Sequence, residues 1–255
     1  MAEAIVRGML RAGRRASDIR AADPSSARRA LFASLGVKVV ERVAELADSD
    51  TLLLSVKPQV MPEVLHELSP VITPGVLLVS IAAGISTGKI EQGLGGRPFR
   101  VVRTMPNTPL LVGQGAVAIA PGRHATADDL AVARALFESS AVVVEVREEL
   151  MDAVTAVSGS GPAYVFFLVE QMTAAGIELG LDPQTAETLA RQTVAGAGRV
   201  LAAESEPPAE LRRRVTSPGG TTQAAIEWLE RHDWPGITRS AIAAARDRGR
   251  ELGKV

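Results

Sequence analysis

The feature that most constrains this chain is the point at which its β-branched runs stop. Seven short runs fall within the first 146 residues: IRAA at 19–22, VKVV at 37–40, TLLLSV at 51–56, VLLVSI at 76–81, FRVVRT at 99–104, GAVAIA at 115–120 and AVVVEV at 141–146. Several are apolar at nearly every position, the pattern of strands covered on both faces, and amphipathic stretches separate them. The cadence predicts a parallel α/β sheet. Turns such as KPQ and MPNTP follow strands directly, and the carboxyl ends of strands in open α/β sheets are where ligands bind. After about residue 148 the strand signal vanishes, and helical patterns follow at 148–157, 162–180, 183–203, 207–215, 221–231 and 235–251. We therefore expect an α/β domain over 1–147 and an all-helical domain over 148–255.

Composition narrows the chemistry. At 255 residues and 46% apolar, the chain can bury a substantial core. Its 28 basic and 29 acidic residues leave a formal charge of −1 with no basic stripe, so nucleic acid is not an expected partner. Cysteine is absent, and His66, His124 and His232 lie far apart in sequence, so no metal site is expected. Apolar runs fall short of the roughly 20 residues of a membrane span, and Glu3 and Arg7 interrupt the first ten residues, where a signal peptide is apolar. The expectation is a cytoplasmic protein with no membrane partner. In the helical half, Val165, Leu168, Val169, Met172, Ala175, Gly176 and Leu179 recur at helical spacing, with Pro162 in the first turn. The AGAG at 195–198 lowers helix propensity and so predicts close packing against another helix, from a second subunit, because this layer carries more apolar surface than its neighbour covers.

One stretch breaks the helical pattern. In VTSPGGTTQ, Pro218 sets one φ angle, Gly219 and Gly220 free the next two, and Thr221 and Thr222 open a new helix as cap-type residues. Unpaired amides at that helix start, with the positive end of the dipole behind them, suit a small carboxylate, while a threonine hydroxyl reaches a neighbouring ligand atom. An ordinary interhelical turn is the alternative.

The stretch PAELRRRVTSPGGTTQAAIEWLE resembles the signature of pyrroline-5-carboxylate reductases, and the likeness runs through MAEAI at 1–5, SVKPQ at 55–59, SIAAGI at 80–85, MPNTP at 105–109 and DAVTAVSGSGPAY at 152–164 in the same order and spacing. The resemblance implies a Rossmann-type NAD(P)H-binding domain, a helical dimerisation domain and assembly as a homodimer or ring of dimers. It also implies reduction of 1-pyrroline-5-carboxylate to L-proline, the last step of proline biosynthesis. It assigns the substrate carboxylate to Ser217, Gly219, Gly220 and Thr221, and the imine nitrogen to the Thr222 hydroxyl. Lys57, one of only four lysines, ends a buried strand and points into the crevice as a cation for cofactor or substrate, flanked by Val56 and Pro58. Ala82, Ala83 and Gly84 offer a flat surface to a nicotinamide, and Asn107 an amide to its carboxamide. SGSGPAY reads as a flexible entry to the long helix, with Ser160 as its cap.

Cofactor preference is divided, because Asp23 suits the ribose hydroxyls of NADH, whereas Ser25, Ser26, Arg28 and Arg29 suit the extra phosphate of NADPH. The resemblance favours NADPH, with NADH possible. The rival class is a β-hydroxyacid-dehydrogenase-like oxidoreductase, which places a lysine on the long helix; residues 161–180 hold none. A non-catalytic dinucleotide-binding homologue is the other. A Rossmann domain opens with a strand and a G-x-G-x-x-G turn, and this sequence begins within the first helix. The expectation is a true start roughly 10 to 20 residues upstream, poor cofactor binding by residues 1–255 alone, and two strands each left with an open edge.

Overall fold

The computed structural model describes residues 1–253, which divide into two units: Met1–Ser160 together with the chain from Ala245 onward, and Gly161–Ala244. In the first unit every β-branched run forms a strand: β1 (Arg20–Ala22), β2 (Lys38–Val40), β3 (Thr51–Leu54), β4 (Leu77–Ser80), β5 (Arg100–Pro106), β6 (Gly115–Pro121) and β7 (Ala141–Glu145). The helices between them are α1 (Ala2–Arg11), α2 (Ser26–Ser34), α3 (Met61–Leu68), α4 (Thr87–Gly93) and α5 (Ala127–Ala135).

The strands form two sheets, β1-β2 and β3-β4-β5-β6-β7. All pairs are parallel except β5 with β6, which corrects the expected all-parallel sheet. The cause is connection length: only residues 107–114 link β5 to β6, too few for the crossover that a parallel pair requires. Among the described residues β1 and β3 are edge strands of their sheets, and both line one cleft.

Alternation along β4 and β5 divides the core. Leu78 and Val101 pack with Leu54, Met61, Leu65, Ile90 and Phe99 on one side, while Leu77, Val79 and Val102 pack with Ile5, Val117, Ile119 and Phe137 on the other. All four β4 residues are buried. A smaller cluster of Val6, Ile19, Phe32 and Val37 fastens α1 and α2 to the β1-β2 pair. Arg103 of β5 is buried in the sheet despite its charge, with Glu148 at 3.7 Å and Asp152 at 3.6 Å. Glu148 also accepts hydrogen bonds from the amide and hydroxyl of Thr87, both at 2.7 Å, and so caps α4.

Beyond β7 the chain is helical, but not as one expected segment over 148–157. A 3-10 turn, Glu148–Leu150, precedes α6 (Met151–Val154), and a π-helical turn, Thr155–Gly159, follows. The wider turn brings Gly159 so close to Met105 that an added Cβ would stand 2.5 Å from its Cε. Ser160 ends that turn with φ −84 and ψ −19, and α7 begins at the next residue, so most of SGSGPAY is wound.

The second unit contains α7 (Gly161–Glu178), α8 (Pro183–Ala203), α9 (Pro208–Arg214), α10 (Thr221–Arg231) and the greater part of α11 (Trp234–Leu252). Gly180, at φ +98, turns α7 into α8, and the Asp182 carboxylate caps α8 through the Thr185 amide. Gly176 lets α8 approach, since a Cβ there would lie 3.1 Å from that of Ala186. Among the described residues of this unit only Ala186 and Ala190 are buried. Phe166 is 62% exposed, Phe167 61% and Leu179 87%. The run Glu148–Glu178, with mean hydropathy 1.2, is long and apolar enough by length and composition to cross a membrane, a property not anticipated from the sequence. Nothing within 4 Å awaits a Cβ at Gly196 or Gly198, so close packing inside the chain does not account for those glycines.

Leu78 is 0% exposed at the centre of the sheet. Leu78→Ala is expected to destabilise the protein by about 2–5 kcal/mol, read as a lower urea midpoint with unchanged slope.

Candidate functional site

The first unit holds a cleft of about 1240 Å³ at the carboxyl ends of β1, β3 and β4. Its wall includes Asp23 and Pro24 after β1, Val56, Lys57 and Pro58 after β3, and Ala82 and Ala83 after β4. Met1 and Ala2 bring in the start of α1, a helix with no side-chain cap whose first backbone hydrogen bond is that from the Ile5 amide to the Met1 carbonyl, 3.2 Å. Amides ahead of that bond, backed by the helix dipole, suit an anionic group. The other walls suit the rest of a dinucleotide: Ala82 and Ala83 present no bulk, Lys57 brings a cation, and Asp23 an acceptor.

Six of the residues anticipated for the cofactor thus line one cleft: Asp23, Val56, Lys57, Pro58, Ala82 and Ala83. Ser25, Gly84 and Asn107 do not. Ser25 serves the local chain, accepting from the Arg28 amide at 3.4 Å to cap α2 and donating its own amide to Asp23 Oδ1 at 2.9 Å. Gly84 follows the alanines at φ +74, where a side chain is strained, and it packs against Gly253. Asn107 has partners within the chain. Its Oδ1 accepts from the Ala116 amide at 2.9 Å and its Nδ2 donates to Ser158 Oγ at 3.3 Å. Both ends are engaged in tying the start of the β5–β6 link to β6 and to the π-helical turn, which the motif MPNTP did not disclose.

In the second unit the Pro-Gly-Gly turn joins α9 to α10. Gly219 takes φ +70, where a side chain is strained, and a Cβ on Gly220 would stand 2.5 Å from Ser217 Oγ, so that hydroxyl would have to turn aside. Gly220 is the N-cap, placing Thr221 and Thr222 inside the first turn rather than at the cap. Two of the four residues assigned to the carboxylate have acceptors within the chain: Gly220 donates to the Ser217 carbonyl at 3.0 Å, and Gly219 to Gln223 Oε1 at 2.7 Å. The amides of Ser217, Thr221, Thr222 and Gln223 stand open to a carboxylate, since the first amide of α10 bonded back to the turn is that of Ala224, to the Gly220 carbonyl at 3.2 Å. Gln223 was missed from the sequence, although a glutamine three residues after an N-cap is the spacing at which a side chain reaches back to the helix start. A hollow of about 370 Å³ beside this turn is lined by Arg212, Arg213, Pro218, Gln223 and others, but not by Thr221 or Thr222.

Among the described residues no cluster of His, Asp and Glu could hold a metal. His232 stacks on Trp228 with ring centroids 3.8 Å apart and caps its carbonyl, a surface role. Two carboxylates near the cleft are held charged by arginines: a hydrogen bond from Arg7, seconded by Arg28, holds the Glu3 carboxyl below its ordinary pKa, and Arg20 does the same for Asp48.

Comparison with known proteins agrees with this division. The family model "Pyrroline-5-carboxylate reductase dimerisation" matches residues 148–252, and "NADP oxidoreductase coenzyme F420-dependent" matches residues 1–84. Pyrroline-5-carboxylate reductase of Pseudomonas aeruginosa is 44% identical over 257 aligned positions, covering 100% of this chain and 94% of the relative. A solved pyrroline-5-carboxylate reductase from Coxiella burnetii superposes with a TM-score of 0.92 at 34% identity, covering 98% of this chain and 94% of the other. The crystal structure of Plasmodium falciparum pyrroline carboxylate reductase with NADP bound gives 0.85 at 28% identity, over 98% and 94%.

The reassignment of Asn107 is directly testable. Asn107→Ala leaves the Ala116 amide without its acceptor, and a loss of about 1–3 kcal/mol in unfolding free energy is expected, with little change in nicotinamide cofactor affinity by titration.

Proposed function

Because this chain belongs to the pyrroline-5-carboxylate reductase family, we propose that it reduces 1-pyrroline-5-carboxylate to L-proline with NAD(P)H, completing proline biosynthesis. The observation that carries the reading is the 44% identity spanning the whole chain, with a cleft of dinucleotide-binding character at the strand ends of the α/β unit. When bound, the cofactor supplies the hydride that adds to the C=N carbon. That carbon is most electrophilic when the ring nitrogen carries a proton, so the protein's task is placement of charge and atoms rather than strong acid catalysis.

The residues divide that task. Ala82 and Ala83 leave a flat wall for the nicotinamide ring, and Lys57 supplies positive charge where phosphate or carboxylate oxygens approach. The amides of Ser217, Thr221 and Thr222, at the positive end of α10, hold the substrate carboxylate. Thr222 offers its hydroxyl to the ring nitrogen, fixing the C=N plane. The chain carries no cysteine, so a thiolate mechanism plays no part.

Assembly belongs to the same reading. A helix apolar on every side and exposed in the single chain needs a covering partner, and a second copy of this chain supplies it, in a cytoplasmic dimer or ring of dimers. The apolar run 148–178 is then interface rather than membrane span.

Turnover of pyrroline-5-carboxylate, followed as loss of the nicotinamide absorbance band, tests the function; cofactor binding without turnover indicates a non-catalytic homologue. Thr222→Ala is expected to lower kcat/KM for pyrroline-5-carboxylate by about 1–3 kcal/mol of transition-state stabilisation while leaving the cofactor dissociation constant unchanged. Gly196→Leu or Gly198→Leu, whose added Cβ meets nothing within 4 Å in the chain, is expected to yield monomers or aggregates in sedimentation velocity.

A further inference from the structure

We propose that this chain prefers NADH to NADPH, because Glu3 and Glu41 withhold the two arginines nearest the β1 turn and leave the Asp23 carboxylate to meet the adenosine ribose. The proposal rests on the reading of the cleft as a dinucleotide site, and it reverses the preference that the family resemblance suggests.

Asp23 lines the cleft just after β1. Its Oδ1 accepts from the Ser25 amide at 2.9 Å, and among the described residues no cation forms an ion pair with its carboxylate. Arg29 is tethered at three points: to Glu41 Oε1 at 2.8 Å and to the carbonyls of Asp23 at 2.9 Å and Pro24 at 2.8 Å. Those carbonyl contacts brace the turn that carries Asp23, so Arg29 supports the carboxylate's position without neutralising it. Arg28 pairs with Glu3 Oε2 at 3.3 Å and lies over the Phe32 ring, 5.4 Å from its centroid. Other cations of the cleft wall are committed or elsewhere: Arg20 pairs with Asp48, Arg42 with Glu67, Lys57 follows β3, and Arg14 stands on the loop after α1.

A ribose diol donates two hydroxyl hydrogens to such a carboxylate. A 2′-phosphate, carrying about −1.5 to −2 charges at neutral pH, brings repulsion instead, and recruiting a cation against it requires breaking a formed ion pair. In this account Glu3 and Glu41 are positioning residues, acting through the arginines they hold.

Calorimetric titration of the intact chain with NADH and with NADPH tests the proposal, because the two ligands differ only in the 2′-phosphate and a structural defect weakens both alike. NADH is expected to bind about tenfold or more tightly than NADPH. Asp23→Asn keeps the acceptor for the Ser25 amide, removes the charge, and is expected to shift the ratio at least about tenfold towards NADPH. Glu3→Gln and Glu41→Gln, which leave Asp23 intact, are expected to shift the ratio in the same direction by freeing Arg28 and Arg29. Tighter binding of NADPH by the unaltered chain, or a ratio unmoved by all three substitutions, overturns the proposal. Binding of neither dinucleotide overturns the reading of the cleft itself, and the preference falls with it.

Discussion

The rest of the first unit depends on covering both faces of β4 and β5. With apolar side chains alternating into two separate clusters, these strands lie only where helices cover each side, and helices on both sides require the chain to return to the same edge before each parallel strand. The carboxyl ends of β3 and β4 therefore come out together, with that of β1 on the same cleft. Residues distant in sequence, such as Asp23, Lys57 and Ala82, share a wall for that reason.

Arg103 shows what the buried sheet tolerates. Burying an ion costs several kcal/mol unless partners surround it, and Arg103 has Glu148 and Asp152 within ion-pair distance. Glu148 is spent twice, since it also holds the amide and hydroxyl of Thr87 at the start of α4. One carboxylate thus links β5, α4 and the chain leaving the sheet. Asn107 does comparable work at the other end of β5, through Ala116 and Ser158. Both side chains stand in or beside recognisable motifs, and in the described structure both hold the scaffold beneath the cleft.

The helical unit is governed by a different constraint. It buries two alanines of its own and exposes phenylalanines, so its stability within one chain rests on helix hydrogen bonds and the α7–α8 hairpin. Such a layer suits a family whose model for residues 148–252 is named for dimerisation. Gly176 and the 196–198 pair look alike in sequence as small residues on helices, yet Gly176 faces Ala186 within the chain and the other two face nothing.

Periodicity alone determined where the strands and helices lie, because both-face burial writes continuous apolar runs and helix packing writes a 3.6-residue repeat. The strand runs all appear, and 183–203 and 221–231 match α8 and α10 residue for residue. Local turn chemistry likewise announced the Pro-Gly-Gly elbow, since the positive φ at Gly219 favours glycine there. Only tertiary structure decided which polar groups remain free. Nothing local shows that Ala116 claims the Asn107 amide, that Gln223 takes the Gly219 amide, or that Glu41 draws Arg29 from the charge of Asp23, because each hydrogen bond joins groups whose proximity is set by packing or by a side-chain rotamer. The β5–β6 reversal belongs to the same class: apolar runs report that a strand is buried, and the direction in which it pairs depends on how far the connecting chain can reach.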